Sequence, residues 1–264
     1  MSYEHIQLIR DGHVATLKLN RPEARNAMSI AMGDEVARAV EDVRADADIR
    51  VLVVTGEGRA FSGGGDLGML AADAGIGEAH AGMGGPPREF YNRYLSVATL
   101  PIPTLAAING HAIGAGFCFA LACDLRIASS NAKLGMTFTK LGIHPGMGAT
   151  YFLPRLLGTA RAAELLFSGR IIDATEAERL GIVSRVAPRD AFSAAVSTLA
   201  RDIAAAAPIA VRMVKRALYR GVEHSLDDAL DLESFQQSAT FQTSDAREGI
   251  TAVLEKREPR FTGA

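Results

Sequence analysis

Residues 61–67 read FSGGGDL and residues 109–116 read NGHAIGAG. Each glycine-rich turn comes after an apolar run, at 49–55 (IRVLVVT) or 103–108 (PTLAAI), and comes before a helical pattern. Repeated alternation of strand and helix patterns is typical of an α/β fold whose strands pair in parallel. The two turns and their flanking segments therefore predict the fold class.

The chain outside these turns divides into two parts. Residues 13–19 (HVATLKL) and 124–128 (DLRIA) are predicted to be further strands, and the last third carries helical stripes with almost no strand signal. The residues of these stripes are Val196, Leu199, Ile203, Ile209, Met213, Ala217, Leu226, Ala229, Leu230, Ile250, Val253 and Leu254. Such stripes are typical of packing surfaces. We therefore predict an α/β core over 1–195 and a helical region over 196–264.

The composition limits the classes of partner. The 264 residues include 28 basic and 30 acidic side chains, a formal net charge of −2, which gives no electrostatic reason to expect nucleic acid or an anionic membrane. The cysteines, Cys118 and Cys123, form neither a disulfide framework nor a metal-binding pair. Residues 1–10 lack a signal-peptide pattern, and no run of eighteen apolar residues predicts a membrane span. We expect a cytoplasmic protein.

Glycine-rich turns at the start of helices let a ligand approach the main chain closely. The N–H groups of a helix's first turn are unpaired, so two such turns can supply two donors to one oxygen atom, which is an oxyanion hole. The alternative, that small residues merely permit tight packing of helix on strand, stays open. Gly63-x-Gly65-x-x-Gly68 also satisfies a dinucleotide fingerprint, but residues 56–62 separate it from the preceding strand, which disfavours nicotinamide binding.

Several motifs occur together in a recognisable order. They are NRPEARNAM (20–28), FSGGGDL (61–67), INGHAIGAG (108–116) with Cys123-Asp124, LGIHPG (141–146), Phe241, Asp245, Glu248-Gly249 and EKREPRF (255–261). With these motifs the chain resembles the crotonase, or enoyl-CoA hydratase/isomerase, superfamily over essentially its whole length. The resemblance implies a core of repeated β-β-α turns, a C-terminal helical region, and a homotrimer or dimer of trimers. It also implies an acyl-CoA thioester as substrate, with coenzyme A as part of that substrate and no metal or other cofactor.

The resemblance further implies which residues form the site. The oxyanion N–H groups belong to Gly65 and Ala115, and alanine at position 115 loses little because the donor is main chain. Arg25 stands where it can meet CoA phosphates, and Lys256 resembles a tail lysine that reaches CoA, sometimes from a neighbouring subunit. Either could instead be an ordinary solvated side chain. The other implied substrate-binding residues are Ala24, Gly63, Gly64, Asp66, Leu67, Gly114, Cys118 and Phe138.

The acid/base residues of the family's hydratases are missing. Cys118 and Phe138 stand where two glutamates are expected, and Gly146 stands where other members have an aspartate. His144 and Asp66 are the candidate replacements, although His144 could be structural and Asp66 could simply fix its loop through backbone hydrogen bonds. Cys118 would need a lowered pKa to act as a nucleophile, and we favour a buried position in the core for it.

The segment 68–88 is rich in glycine, alanine and proline, which predicts a mobile loop with fragments of helix. Glu89, Tyr91 and Tyr94 follow it on a helix-like stretch and are candidates to reach the acyl group. These observations together predict an acyl-CoA-acting lyase or isomerase that stabilises a thioester enolate but hydrates enoyl thioesters poorly. The alternative is a protein of the same fold that binds CoA thioesters without turnover.

Overall fold

The computed structural model describes residues 3–76, 82–83, 85–222 and 224–264. Its strands are β1 (Ile6–Asp11), β2 (Val14–Leu19), β3 (Val51–Gly56), β4 (Ala60–Ser62), β5 (Thr104–Ile108), β6 (His111–Ile113), β7 (Leu125–Ser129), β8 (Lys133–Gly135), β9 (Ile171–Asp173) and β10 (Arg185–Ala187). Its α-helices are α1 (Ile30–Ala45), α2 (Leu67–Asp73), α3 (Pro87–Leu95), α4 (Ala115–Leu121), α5 (Ala149–Leu157), α6 (Thr159–Ser168), α7 (Ala174–Arg179), α8 (Phe192–Ala204), α9 (Pro208–Gly221), α10 (Leu226–Thr240) and α11 (Ser244–Glu255). Short 3₁₀ helices cover Pro22–Ala24, Ser96–Thr99 and Thr137–Leu141.

The strands form two sheets. The larger sheet has the order β1-β2-β3-β5-β7-β10, and the smaller has the order β4-β6-β8-β9. The pairs β1–β2 and β8–β9 are antiparallel, whereas the other pairs are parallel. The chain alternates between the sheets: β3 is followed by β4 and α2, and β5 is followed by β6 and α4. This alternation confirms the α/β class and the repeated β-β-α turns.

The sequence patterns locate the longer strands and miss the short ones. The predicted strands at 13–19, 49–55, 103–108 and 124–128 are β2, β3, β5 and β7, with slightly shifted ends. The patterns do not predict β1. They also do not predict the smaller sheet, because its strands of three residues are too short to show a period of two. β6 lies within 109–116, so that stretch is not a turn throughout.

The segment 68–88 is helical at both ends, since it overlaps α2 and the start of α3. Residues 77–81 and 84 of this segment lie outside the described residues. The expected fragments of helix are therefore confirmed, and the expected mobility of the loop stays a prediction.

Helices cover both faces of the larger sheet. β3 shows the alternation that a strand buried on both faces requires: Leu52 and Val54 join the main core, whereas Val51 and Val53 pack beneath α8. The main core also takes in the apolar faces of α1, α4 and α5. β3 and β5 of this sheet precede the two glycine-rich stretches along the chain, so the sheet fixes where those stretches start.

Four helices, α8 to α11, confirm the helical patterns of the last third. α8 begins at Phe192 and packs its predicted stripe on the larger sheet, so it lies against the core. The stripes of α10 and α11 remain exposed in the single chain: Leu226, Val253 and Leu254 are 73%, 77% and 79% exposed. The division at residue 195 stays a prediction.

No helix of the described chain is by itself long and apolar enough to cross a membrane. α8 and α9 meet the length and composition limits as a pair, but they are bent by 102° at the break between them. The apolar side of α8 is covered by the larger sheet.

Asp124, just before β7, ties α9 to the sheet. Its carboxylate accepts hydrogen bonds from the N–H of Thr104, the ammonium group of Lys215 and the hydroxyl of Tyr219, each at 2.7 Å. The side chains of Asp124 and Lys215 are only 16% and 11% exposed, so water screens this ion pair weakly. α9 is thereby held against the start of β5.

Replacing Asp124 with alanine would leave the Lys215 ammonium group partly buried without its carboxylate. We expect Asp124→Ala to lower the free energy of unfolding by about 3 kcal/mol, measured by urea denaturation. Asp11→Ala is the matched control, because Asp11 is 77% exposed and its contact with Arg201 spans 3.4 Å. Equal losses of stability in the two variants would contradict a special role for the Asp124 contacts.

Candidate functional site

Hydrogen bonds to Asn26 hold the first glycine-rich turn in place. This residue is fully buried, and its amide donates to the carbonyl oxygens of Glu57 (2.9 Å) and Ala60 (2.8 Å). Its own carbonyl oxygen accepts the hydroxyl of Ser62 at 2.8 Å, and that hydroxyl in turn accepts the N–H of Gly64 at 3.2 Å. The end of β4 and the start of the glycine run are therefore held in one conformation.

A parallel bridge then orients the rest of this turn. The N–H of Met28 donates to the carbonyl oxygen of Gly64 at 2.8 Å, and the N–H of Asp66 donates to the carbonyl oxygen of Met28 at 3.0 Å. These bonds use the groups on either side of the Gly65 N–H, which is left facing away from Met28. Among the described residues, the Gly65 N–H has no acceptor.

The second turn exposes a similar donor. Gly114, whose N–H donates to the carbonyl oxygen of Gly135 at 2.8 Å, has φ +53° and ψ −121°, a conformation that only glycine adopts readily. It directs the chain into α4, which begins at Ala115. The N–H groups of a helix's first turn have no partner within the helix. Within the described chain, the Ala115 N–H finds no other acceptor.

Two further glycines let the turns touch. A Cβ atom at Gly64 would lie 2.8 Å from the carbonyl oxygen of Ile113 and 3.8 Å from the nitrogen of Ala115. A Cβ atom at Gly116 would lie 2.7 Å from the carbonyl oxygen of Ser62. Any side chain at these positions would push the turns apart. The contact brings two backbone donors to one cavity, which is the arrangement that an oxyanion hole requires.

The cavity between the turns is mostly apolar, with a few polar groups. Its walls come from both turns, from α2 and α3, and from the chain between β8 and α5. The predicted site residues that line it are Gly63, Gly64, Gly65, Leu67, Gly114, Ala115, Phe138 and His144. The polar side chains of the described lining are those of Tyr91, Thr137 and His144. Apolar cavities with a few polar groups are typical of sites for small ligands.

Other predicted site residues lie outside this lining. Arg25 is exposed beside the first turn, where its carbonyl oxygen accepts the N–H of Gly63 at 2.8 Å, and Ala24 precedes it in a 3₁₀ helix. Lys256 is exposed at the end of α11. The structure thus brings Arg25 to the mouth of the site through its backbone, and does not bring Lys256 to the described lining.

Asp66 has a structural position. Its carboxylate caps α2 by accepting the N–H groups of Gly68 (3.0 Å) and Met69 (3.3 Å), and the guanidinium group of Arg21 lies 3.4 Å away. The carboxylate is therefore engaged in holding the loop that carries Gly65. This is the loop-fixing role considered from the sequence.

Cys118 and Phe138 bring apolar surface to the region. Cys118 is fully buried in α4, with its sulfur atom 3.4 Å from the carbonyl oxygen of Gly146, and burial raises the pKa of its thiol. Phe138 is half-buried and packs against the main core. Neither side chain can transfer protons at neutral pH. The core position that we favoured for Cys118 is confirmed.

The three candidates on α3 have different surroundings. Tyr94 is fully buried and its hydroxyl donates to the carbonyl oxygen of Ser29 at 2.6 Å, while Glu89 is exposed. Only Tyr91 of the three lines the cavity. Sequence reasoning could not choose among them, because α3 begins only at Pro87 and its rotation is set by packing on α1.

The residues that support the site are not evident from the sequence patterns. Asn26 was recognised only as part of a motif, although its buried amide fixes the first turn. Its φ of +55° is a conformation in which asparagine is enriched, and this is a signal that a motif alone does not reveal. Among the described residues, no three His, Cys, Asp or Glu side chains converge on a point that could hold a metal ion.

The buried cysteines give a direct check on these surroundings. Burial raises the pKa of both Cys118 and Cys123, so the reactive thiolate is scarce at about pH 8. We expect neither thiol to react with iodoacetamide in the folded protein and both to react in guanidinium chloride, measured by mass spectrometry. Rapid labelling of Cys118 in the folded protein would show that it is open to the cavity.

Comparisons with known proteins identify the family of this chain. Residues 10–264 match the family model described as enoyl-CoA hydratase/isomerase. The chain is 38% identical to a probable enoyl-CoA hydratase of Mycobacterium bovis, covering 99% of each chain, and 38% identical to a 1,2-epoxyphenylacetyl-CoA isomerase of Escherichia coli, covering 95% of each. A crystal structure of an enoyl-CoA hydratase from Bacillus anthracis superposes with a TM-score of 0.90 at 37% identity, over 99% of this chain and 100% of that one. The chain therefore belongs to the enoyl-CoA hydratase/isomerase family.

Proposed function

We propose that this protein binds acyl-CoA thioesters and acts on them as a lyase or isomerase, by stabilising a thioester enolate. The observation that carries the proposal is a pair of N–H groups on one cavity, those of Gly65 and Ala115, for which the described residues offer no acceptor. Negative charge that moves onto the thioester oxygen would be met by both donors, which are already oriented and need no reorganisation. The hydratase and isomerase named above share a CoA-linked substrate, which supports the same substrate class here.

Coenzyme A would extend from this cavity past the first turn. The N–H of Gly63 donates to the carbonyl oxygen of Arg25 at 2.8 Å, which holds Arg25 beside the first turn with its side chain exposed. Arginine binds phosphate through charge-assisted hydrogen bonds. Ala24 would border the nucleotide through its backbone, and Lys256 would reach it from a neighbouring subunit.

Isothermal titration with crotonyl-CoA tests the proposed substrate class. We expect binding by the wild type, and we expect Arg25→Ala to weaken it by about 1–3 kcal/mol through loss of a charge-assisted bond to phosphate. Arg201→Ala is the control, because Arg201 is 70% exposed on α8 and lies outside the site. Absence of binding by any CoA thioester at millimolar concentration, with the protein folded, would overturn the proposal.

Hydration of crotonyl-CoA is expected to be very weak or absent. The positions that we compared with the hydratase glutamates hold Cys118 and Phe138, and each positioned acid/base group typically contributes about 10²- to 10⁴-fold to the rate. The assay is the loss of enoyl-thioester absorbance at about pH 7–8. Turnover on the order of 10 per second would contradict this expectation, and His144→Ala and Asp66→Asn would then be the first variants to examine.

A second candidate function is binding of CoA thioesters without turnover. It is favoured by Cys118 and Phe138. A fully buried thiol with a raised pKa and a phenyl ring cannot transfer protons at the two positions compared with the hydratase glutamates. Incubation with a panel of acyl-CoA thioesters, followed by mass spectrometry, separates the candidates. Conversion of any thioester supports the enzyme, whereas binding of several thioesters with no conversion supports the binding protein.

We also propose that the protein forms a homotrimer or a dimer of trimers. A groove of about 880 Å³ runs between α9 and α10, and apolar side chains beside it, such as Val214, Leu218 and Leu230, are more than half exposed in the single chain. Burying such a surface is favourable in proportion to its apolar area. Light scattering should report a trimer or hexamer, and a monomer throughout the micromolar range would refute this assembly.

A further inference from the structure

The hydroxyl of Tyr91 lies where the side chain of any residue larger than glycine at position 146 would begin. A Cβ atom at Gly146 would collide with this hydroxyl, which is the nearest atom to that position. Gly146 is absent from the glycines with positive φ, so its backbone conformation would accept other residues. Glycine is therefore required at position 146 because the Tyr91 hydroxyl lies there.

Tyr91 lines the same cavity as Gly65 and Ala115. Cys118 is one helical turn after Ala115 in α4, a rise of about 4.5 Å along the helix axis. The sulfur atom of Cys118 is 3.4 Å from the carbonyl oxygen of Gly146, the residue that Tyr91 contacts. The phenol thus borders the part of the cavity just beyond the position of the thioester carbonyl, where the acyl carbons would lie.

The Tyr91 hydroxyl also lacks a partner within the described chain. Three other tyrosine hydroxyls donate to protein acceptors: Tyr3 to Asp42 at 2.6 Å, Tyr94 to a backbone carbonyl, and Tyr219 to Asp124 at 2.7 Å. A half-buried tyrosine hydroxyl usually finds such a partner. Tyr91 is half-buried, lines the cavity and keeps its donor free for a ligand.

We propose that Tyr91 is a catalytic residue that exchanges a proton with the α-carbon of the bound acyl thioester. This inference rests on the proposed function, because it requires the thioester oxygen to lie between Gly65 and Ala115. In the forward direction the O–H bond of Tyr91 breaks, its proton forms a C–H bond at the α-carbon of the enolate, and the thioester carbonyl is restored. The phenolate then recovers a proton from water. In the reverse direction the phenolate removes an α-proton and the enolate forms.

The surroundings favour the protonated form of this phenol. Burial is the main cause that raises the pKa of Tyr91, and the neighbouring Cys118 of α4 adds to it. The other titratable group on the described cavity wall is His144, before α5, and Asp34 of α1 pairs with Arg93 of α3 at 2.6 Å. Tyr91 is therefore a proton donor at neutral pH, and its capacity to act as a base grows as the pH rises towards its raised pKa.

Deuterium exchange at the α-carbon of butyryl-CoA tests this role directly. The wild type in D₂O should incorporate deuterium above the rate without enzyme, measured by mass spectrometry, and the rate should climb continuously from about pH 6 to pH 9 because the phenolate is the active base. Tyr91→Phe should lower the exchange rate by about 10²-fold or more. Calorimetry with butyryl-CoA, run in parallel, should show that this variant still binds the thioester.

Two further variants sharpen the result. Tyr151→Phe also removes one phenolic hydroxyl, but Tyr151 is 50% exposed on α5 and outside the cavity lining, so its exchange rate should equal that of the wild type. Gly146→Ala changes no titratable group, yet it displaces the Tyr91 hydroxyl and should slow exchange. Adding Gly146→Ala to Tyr91→Phe should have no further effect on the rate.

Each contrary result has a distinct meaning. Exchange that persists in Tyr91→Phe, or that levels off near pH 7 and disappears in His144→Ala, overturns the role of Tyr91 and leaves the proposed function standing. If the wild type binds butyryl-CoA without exchange, the role of Tyr91 is overturned and the second candidate, binding without turnover, is favoured. Failure of the folded wild type to bind any CoA thioester overturns the proposed function, and the inference with it.

Discussion

The site depends on the contact between two glycine-rich turns that lie far apart in the sequence. The main chain at Gly116 lies so close to Ser62 that a single methyl group would separate them, and Gly64 has the same relation to Ile113. Protein interiors are close-packed, so neither turn could move aside without disturbing the strand that precedes it. The larger sheet sets the position of these strands, and the contact sets the distance between the backbone donors of Gly65 and Ala115. Fold and site are therefore specified by the same few residues.

Much of this arrangement is predictable from the sequence because its causes are local. A glycine run after an apolar strand and before a helix indicates a backbone that approaches its neighbours closely and adopts positive φ, as Gly64 and Gly114 do. The stripes of the last third likewise reveal four helices. The smaller sheet leaves no such trace, since its strands of three residues, such as β4 and β6, are defined by their partners and not by their own pattern.

The contact between Tyr91 and Gly146 could not be predicted from the sequence, because long-range packing places both residues. Tyr91 contacts Gly146 because α3 packs on α1 and the chain before α5 packs on α4. The sequence near either residue does not indicate this contact. Asp66 is an example of the opposite kind. Its place next to Gly65 in the sequence suggested a catalytic role, but its carboxylate caps α2. The backbone conformation of the two turns can thus be predicted from motifs, whereas contacts between distant side chains are seen only in the folded molecule.

In the proposed function, the N–H groups of Gly65 and Ala115 hold the thioester oxygen. Infrared difference spectroscopy of butyryl-CoA, labelled with ¹³C at the thioester carbonyl, measures this polarisation directly. Two hydrogen bonds to the oxygen weaken the C=O bond, so the account predicts a lower stretching frequency for bound than for free thioester. It also predicts that Gly116→Ala, which pushes the turns apart, reduces that shift. A thioester that binds with an unchanged carbonyl frequency would contradict the account.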